Sequence, residues 1–225
     1  MARTALRIIN FHGIGEPERP LEPGEAPYWL SVARFNDMLD RIADHPDRDE
    51  LAITFDDSNT SDLMIAAPAL AKRGLTARFF VLTGRIGEPG SLDKADISAL
   101  VDMGMPIGSH GIAHRDWSSL APAELDVELK TSKSVLEEVC GFEITDASIP
   151  FGRYNAAVLS RLRRAGYRCA YSSDKGNADS AAFLQARTSV RSDTTDEALN
   201  DALSGDMPAI SRLRRAARMQ LKQWV

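Results

Sequence analysis

Two carboxylates in a row, Asp56-Asp57, close an apolar run in Thr54-Phe55-Asp56-Asp57-Ser58, and a histidine pair follows at His110-Gly111-Ile112-Ala113-His114. One carboxylate and two imidazoles make a three-ligand site for a divalent ion with a position left open, as a catalytic zinc requires. Asp57, His110 and His114 are the candidate ligands. Asp56, one residue earlier, is the candidate general base for an attacking water. Two nitrogens and one oxygen suit zinc, and also cobalt, nickel or manganese; ligand type alone does not choose among them. An ion held there would acidify water and polarise a substrate carbonyl. Histidines four apart can face one way on a helical turn. Plainer readings exist for the same residues. Asp-Asp-Ser-Asn is a good turn sequence, Ser61 could cap the next helix, and either histidine could be an ordinary core or surface residue.

The elements around these residues alternate. Leu6 to Phe11, Leu51 to Phe55, Ala77 to Leu82, Pro106 to Ser109, Ala147 to Ile149, Tyr167 to Tyr171 and Arg187 to Val190 read as strands. Helices are expected over Tyr28 to Ala43, Ser61 to Arg73 (kinked by Pro68 and ended by Gly74), Lys94 to Met103, Pro122 to Val139, Asn155 to Ala165, Thr195 to Leu203 and Pro208 to Gln223. Strands alternating with helices predict a parallel sheet, open or closed into a barrel, with its site at the C-terminal strand ends. The candidate residues fall at such ends. Gly13 to Pro27 is a Gly/Pro/Glu-rich loop long enough to be functional.

The chain has 225 residues, 44% hydrophobic and 26% charged, with net charge −5. That composition suits a soluble globular protein and gives no reason to expect nucleic-acid binding. Cys140 and Cys169 lack CxxC context and read as buried free thiols. No apolar run reaches the roughly 18 residues of a membrane span, and no signal-peptide core is evident, so a cytoplasmic location is expected.

The motifs resemble those of polysaccharide deacetylases of carbohydrate esterase family 4. Thr54 to Ser58 resembles the family's Thr-Phe-Asp-Asp-Gly, and Ser109-His110 to His114 resembles its Ser-His start with HxxxH spacing. Pro150-Phe151-Gly152 resembles the end of its Arg-x-Pro-Tyr/Phe-Gly motif. Gly74 to Val81, Glu128 to Gly141 and Ala165 to Arg168 fit weaker family stretches. The resemblance spans about residues 50–190 within a single expected domain, 1–225. It implies a distorted (β/α)7 barrel and metal-dependent hydrolysis of an N-acetyl group on a sugar or polysaccharide precursor. It implies Asp56 as base, Asp57, His110 and His114 as metal ligands, and the backbone around Pro150, Phe151 and Gly152 as oxyanion contact.

The chain also departs from the family pattern. The family's later Leu-x-His, which protonates the leaving amine, has no counterpart, because the four histidines are His12, His45, His110 and His114. His12, at the end of the first strand, is the candidate to take the acid role or to bind substrate; His45 is given none. Ser148 stands where the third motif has an Arg that orients the base. Arg187 could supply that charge, with Arg153 a second candidate. Ser58 replaces a turn Gly and would be strained if its φ is positive. Asp174, in a poor version of the fourth motif, reads as a loop or capping residue. From Pro208 onward five basic residues, Arg212, Arg214, Arg215, Arg218 and Lys222, interleave with Ile210, Leu213, Met219, Leu221 and Trp224. Such a helix packs its apolar side on the domain, docks on a partner, or lies on the inner face of an anionic membrane. Two other functions stay open: hydrolysis of cyclic amides or ureides on the same fold, and a non-catalytic carbohydrate-binding or scaffold protein. The sequence leaves the oligomeric state open.

Overall fold

The computed structural model describes residues 5–224. Its centre is a ring of parallel strands. β1 (Ala5–Phe11), β2 (Leu51–Phe55), β3 (Arg78–Val81), β4 (Ile107–Ser109), β5 (Asp146–Ser148) and β6 (Cys169–Ser172) follow one another in space as in sequence. β7 (Ala178–Asp179) runs antiparallel beside the start of β1. β8 (Leu184–Ala186) pairs with β6, and β9 (Thr188–Ser189), just beyond Arg187, pairs with β1. The β8–β9 segment is therefore the seventh stave. It changes partner at Arg187 and closes the sheet into a distorted (β/α)7 barrel.

Strand alternation decides what faces the helices and what faces the axis. Phe11, Phe55 and Phe79 are in register on β1 to β3 and stack, with centroids 5.3 and 4.8 Å apart. They point outward, where Phe35 meets Phe11 edge-on at 5.2 Å. Full burial of each such side chain contributes about 1.5–3 kcal/mol. The neighbours Asn10, Thr54 and Asp56 must then point inward. At the other end of the barrel, Ile8, Phe80, Tyr171 and Ala178 form a separate apolar cluster. Gly108 is required beside that cluster, since a Cβ there would come within 2.5 Å of the Phe80 ring.

The helices α1 (Val32–Ala43), α2 (Ala67–Lys72), α3 (Lys94–Asp102), α4 (Pro122–Cys140), α5 (Ala156–Arg164), α6 (Asp196–Ser204) and α7 (Ala209–Trp224) surround the sheet. Ser31 caps α1 through the Arg34 N–H, so the helix begins four residues later than the sequence predicts. The chain before it is held as a bridge between Ile14 and Leu30. The helix expected from Ser61 opens as a wide π turn, Asp62–Ala66, before α2. Pro68 lies at the start of α2, where its missing N–H costs little. Ser61 does not cap; its hydroxyl accepts the Ile14 N–H at 3.2 Å. Cys140 and Cys169 are free and half-buried.

α7 reverses one expectation of the sequence. Its apolar Ile210, Leu213 and Leu221 are 65%, 71% and 66% exposed, while Arg215, Arg218 and Lys222 turn toward the domain. The reason is what lies beneath the helix: the buried carboxylate of Asp174 and the free carbonyls of Gly152 and Asn177 attract donors, not methyl groups. The Trp224 side chain lies outside the described residues. Among the described residues no helix is long and apolar enough to cross a membrane.

Candidate metal centre and catalytic site

β2 ends at Phe55, and the chain turns at once, carrying Asp56 onto the barrel axis. Arg187 grips it from the closing stave with two parallel bonds, Nη1 to Oδ1 at 2.8 Å and Nη2 to Oδ2 at 2.7 Å. Asn10 adds a bond to Oδ2 at 3.1 Å, and Arg187 also donates to Asn10, Thr54 and Ser148. Arg187 is wholly buried and Asp56 is 3% exposed. Burial would raise the Asp56 pKa. Arg187 outweighs it, helped by His110 and His12, and holds the carboxyl well below the usual range. Arg153 plays no part in this grip; it is exposed and pairs with Asp116 at 3.0 Å.

Asp57, His110 and His114 come together. Their donor atoms all lie within 4.8 Å of one another, with Asp57 Oδ1 3.5 Å from His110 Nε2 and 3.6 Å from His114 Nε2. Asp57 Oδ1 is buried and has no hydrogen-bond partner. The outer ring nitrogens are both engaged, His110 Nδ1 with the Ser148 carbonyl at 2.9 Å and His114 Nδ1 with Glu22 at 2.7 Å. Both Nε2 atoms therefore face the carboxylate. An orphaned oxygen and two oriented imidazoles fit a divalent cation of the zinc type. Burial would raise the Asp57 pKa, but the imidazoles of His110, His12 and His114 around it bring it below the usual range.

The histidines do not meet on a helical turn, as their spacing suggests. His110 directly follows β4, its N–H bonding the Val81 carbonyl at 2.8 Å, and an irregular loop through Gly111 (φ +86°) brings His114 back. Glu128 on α4 fixes that loop by accepting the Ile112 N–H at 2.7 Å. Among the described residues, four of the five non-glycine residues with positive φ lie here: Asp57 (+78°), Ser58 (+52°), His114 (+48°) and Phe151 (+58°). Each costs on the order of 1–3 kcal/mol, and surrounding bonds must hold it. Ser58 is strained by its positive φ, though its hydroxyl accepts the Leu82 N–H at 3.2 Å.

A cavity of about 110 Å³ is lined by His12, Tyr28, Asp56, His110, His114, Phe151, Ser173 and Ser189. His12 packs against Tyr28, tilted by 43° with centroids 4.7 Å apart, and its Nδ1 is buried without a partner. Burial lowers its pKa, against the raising influence of Asp57 and Asp56. Phe151 packs on His114 at 4.3 Å and is half exposed. The turn Pro150–Gly152 that carries it is wedged: a Cβ on Gly152 would lie 2.8 Å from the Ser173 nitrogen.

Several contributors escape a reading of the sequence. Glu22 is one of several glutamates in an aperiodic loop; Arg85 secures it, as Glu25 and Asn59 secure Arg19 beside it. Asn10 carried a signal, being a buried amide inside an apolar strand. Asp174 lies in the loop after β6, as the sequence suggests, yet it is buried. It is 2% exposed and accepts from Tyr154 (2.8 Å), Ser172 (2.8 Å) and Lys222 Nζ (2.7 Å). Lys222 also donates to the Gly152 carbonyl at 3.1 Å.

The deacetylase PplD from Streptococcus pyogenes, solved with acetate, superposes with a TM-score of 0.77 at 21% identity, over 90% of this chain and 99% of that one. The de-N-acetylase from Aggregatibacter actinomycetemcomitans gives 0.73 at 11% identity, over 88% and 99%. At these identities the likeness is one of fold. YxkH of Bacillus subtilis (strain 168) is 30% identical over 139 residues, 62% of this chain and 50% of the relative, so the chain spans about half the length of that curated protein. The model of the family named polysaccharide deacetylase matches residues 43–170, more than half of the chain. With its motifs in order along a (β/α)7 barrel, the chain belongs to the polysaccharide deacetylase family.

Proposed function

We propose that residues 1–225 form one catalytic domain, a metal-dependent hydrolase that removes the N-acetyl group from an amino sugar in a polysaccharide or its precursor. The observation that carries this reading is the Asp56–Arg187 pair set beside Asp57, His110 and His114 at one small cavity. Asp57, His110 and His114 would hold the ion, with zinc the first choice and cobalt, nickel or manganese acceptable to the same donors. When bound, that ion supplies Lewis-acid polarisation and lowers the pKa of water.

The chain's own residues do the rest. Asp56, kept ionised by Arg187, takes the proton from the attacking water. The Phe151 N–H donates to the oxyanion as the carbonyl carbon becomes tetrahedral. His12, on the opposite side of the cavity in β1's continuation, gives a proton to the departing amine. The acetamido group enters this cavity, and the sugar lies against Tyr28 and Phe151, which line it. That arrangement suits an internal unit of a longer glycan.

The reading keeps the expected cytoplasmic setting and adds contact with the inner membrane face. The exposed Ile210, Leu213 and Leu221 on α7, with Arg214 beside them, support that contact. Cell fractionation and vesicle co-sedimentation test it; binding unchanged by removal of residues 208–225 would count against it.

The catalytic proposal is tested by elemental analysis of protein purified without added metal, alongside acetate release from N-acetylglucosamine oligomers. About one ion per chain is expected, lost in Asp57→Ala and His110→Ala. His12→Ala should keep the ion and lose turnover. A chain that takes up no ion after exposure to all four metals, and releases no acetate, is not this enzyme.

A further inference from the structure

Beneath α7, within two residues of the catalytic cavity wall at Ser173, lies a second cavity of about 370 Å³. It is lined by Asp174, Lys175, Met207, Ser211, Arg214, Arg215 and Arg218. Four cations thus converge on one carboxylate, in a chain whose net charge is −5. Asp174 does little to balance them, because Lys222, Tyr154 and Ser172 already use its oxygens, and Arg218 Nε stands 4.0 Å off. Among the described residues neither Arg214 nor Lys175 pairs with any acid. Asp201 and Asp206 face an adjoining cavity rather than this one.

Arg215 is the most telling member. It is half buried, its Nη2 donates to the Asn177 carbonyl at 2.8 Å, and its Nε is buried with no partner. Gly176 permits this close seat, since a Cβ there would lie 2.6 Å from Met207 Cε and 3.1 Å from Arg215 Nη1. Lys175 is held at φ +61°, the remaining non-glycine residue in the left-handed region. Packing like charges around unpaired donors is unfavourable unless an anion completes the site. Three guanidinium forks and an ammonium suit the several oxygens and multiple charge of a phosphate better than a single carboxylate.

We propose that this cavity is a subsite for a phosphate or diphosphate group, placed so that the anion sits beside the cleft while an acetamido group enters it. Within the deacetylase reading on which the substrate part rests, the substrate is then a phosphate-bearing glycan, such as a sugar joined through phosphate to a carrier. A lipid headgroup offers the same chemistry at the same place.

The test separates these. Full-length, metal-loaded protein is titrated with pyrophosphate by calorimetry, in parallel with Arg214→Gln/Arg218→Gln. Both positions are exposed, so the fold should persist, and circular dichroism checks it. Binding that weakens at least tenfold in the double variant, and weakens with added salt, supports the subsite. Equal binding in both proteins, or none at millimolar pyrophosphate, overturns it, whatever the protein's activity. Acetate release then assigns the source. A KM raised only for a phosphate-bearing oligomer identifies substrate phosphate. An unchanged KM with lost flotation on phosphatidylglycerol vesicles identifies the headgroup.

Discussion

Replacing Arg187 with methionine keeps most of the side-chain volume and removes the charge. The result follows from what the guanidinium touches. It makes two bonds to Asp56, and further bonds to Asn10, Thr54 and Ser148, at a site with no solvent exposure. Breaking a buried pair by removing one partner costs about 3–5 kcal/mol, because the other charge is stranded. For a chain of this length each kcal/mol moves Tm by about 2–4 °C, giving a fall of roughly 6–20 °C. The sign with pH is also fixed. In the native chain the Asp56 pKa is depressed, so its stabilisation is present above the unfolded carboxylate pKa and is lost only as pH falls through the folded value. In Arg187→Met the folded pKa rises instead, so protonation relieves the stranded charge. The Tm deficit should be largest at neutral pH and shrink toward pH about 4, near the unfolded carboxylate pKa. Adding Asp56→Asn to Arg187→Met should recover part of the loss. Thermal melts of the four proteins across pH read all of this in metal-free protein. A deficit independent of pH, with no recovery in the double variant, would mean that Arg187 acts through packing alone and refute the charge argument.

Further outcomes follow from other contacts. Glu22→Gln keeps a partner for His114 Nδ1 but removes its charge, and should weaken zinc binding by about ten- to hundredfold in a chelator competition. Unchanged affinity would show that the loop only covers the site. Asp62 is buried, and burial together with Asp57 and Asp56 raises its pKa well above the usual value. Its contribution is therefore lost as pH rises through the folded pKa, so Asp62→Asn should raise Tm in metal-free protein more at pH 8 than at pH 5. A gain that is the same at both would contradict this. Lys222→Met frees the Gly152 carbonyl and should lower kcat by about ten- to hundredfold, with KM and metal content little changed and partial rescue by Lys222→Arg. An unchanged kcat would separate α7 from the chemistry.

The four central residues were readable because they follow two strand ends, Asp56 and Asp57 after β2 and His110 and His114 after β4, and type plus spacing is local information. Asp56, Asp57, His110 and His114 needed only the alternation of strands and helices to be placed on one rim. Arg187 was nameable as a late-strand cation, but its double grip on Asp56 depends on where the barrel closes, and no local pattern states that. The histidine spacing misled about mechanism: glycine and a left-handed His114 bring the rings together, not a helical repeat. Glu22 was hidden among equivalent glutamates. α7 was misjudged because amphipathicity shows that a helix has two faces but not which one the domain wants; that was decided by Asp174, whose burial the sequence does not reveal.

Arg187 is also the residue at which the closing stave changes partner from β6 to β1. Its main chain bonds to Ser172 while its side chain seats the base. A nascent chain therefore exposes Asp56, Asp57 and both histidines long before the base can be set. Any partly assembled form, or one with the stave pulled out of the ring, keeps the candidate metal ligands yet leaves Asp56 without its counter-charge. On the proposed reading, turnover is thereby tied to completion of the barrel, and specific activity per bound ion would gauge how much of a preparation has its ring closed.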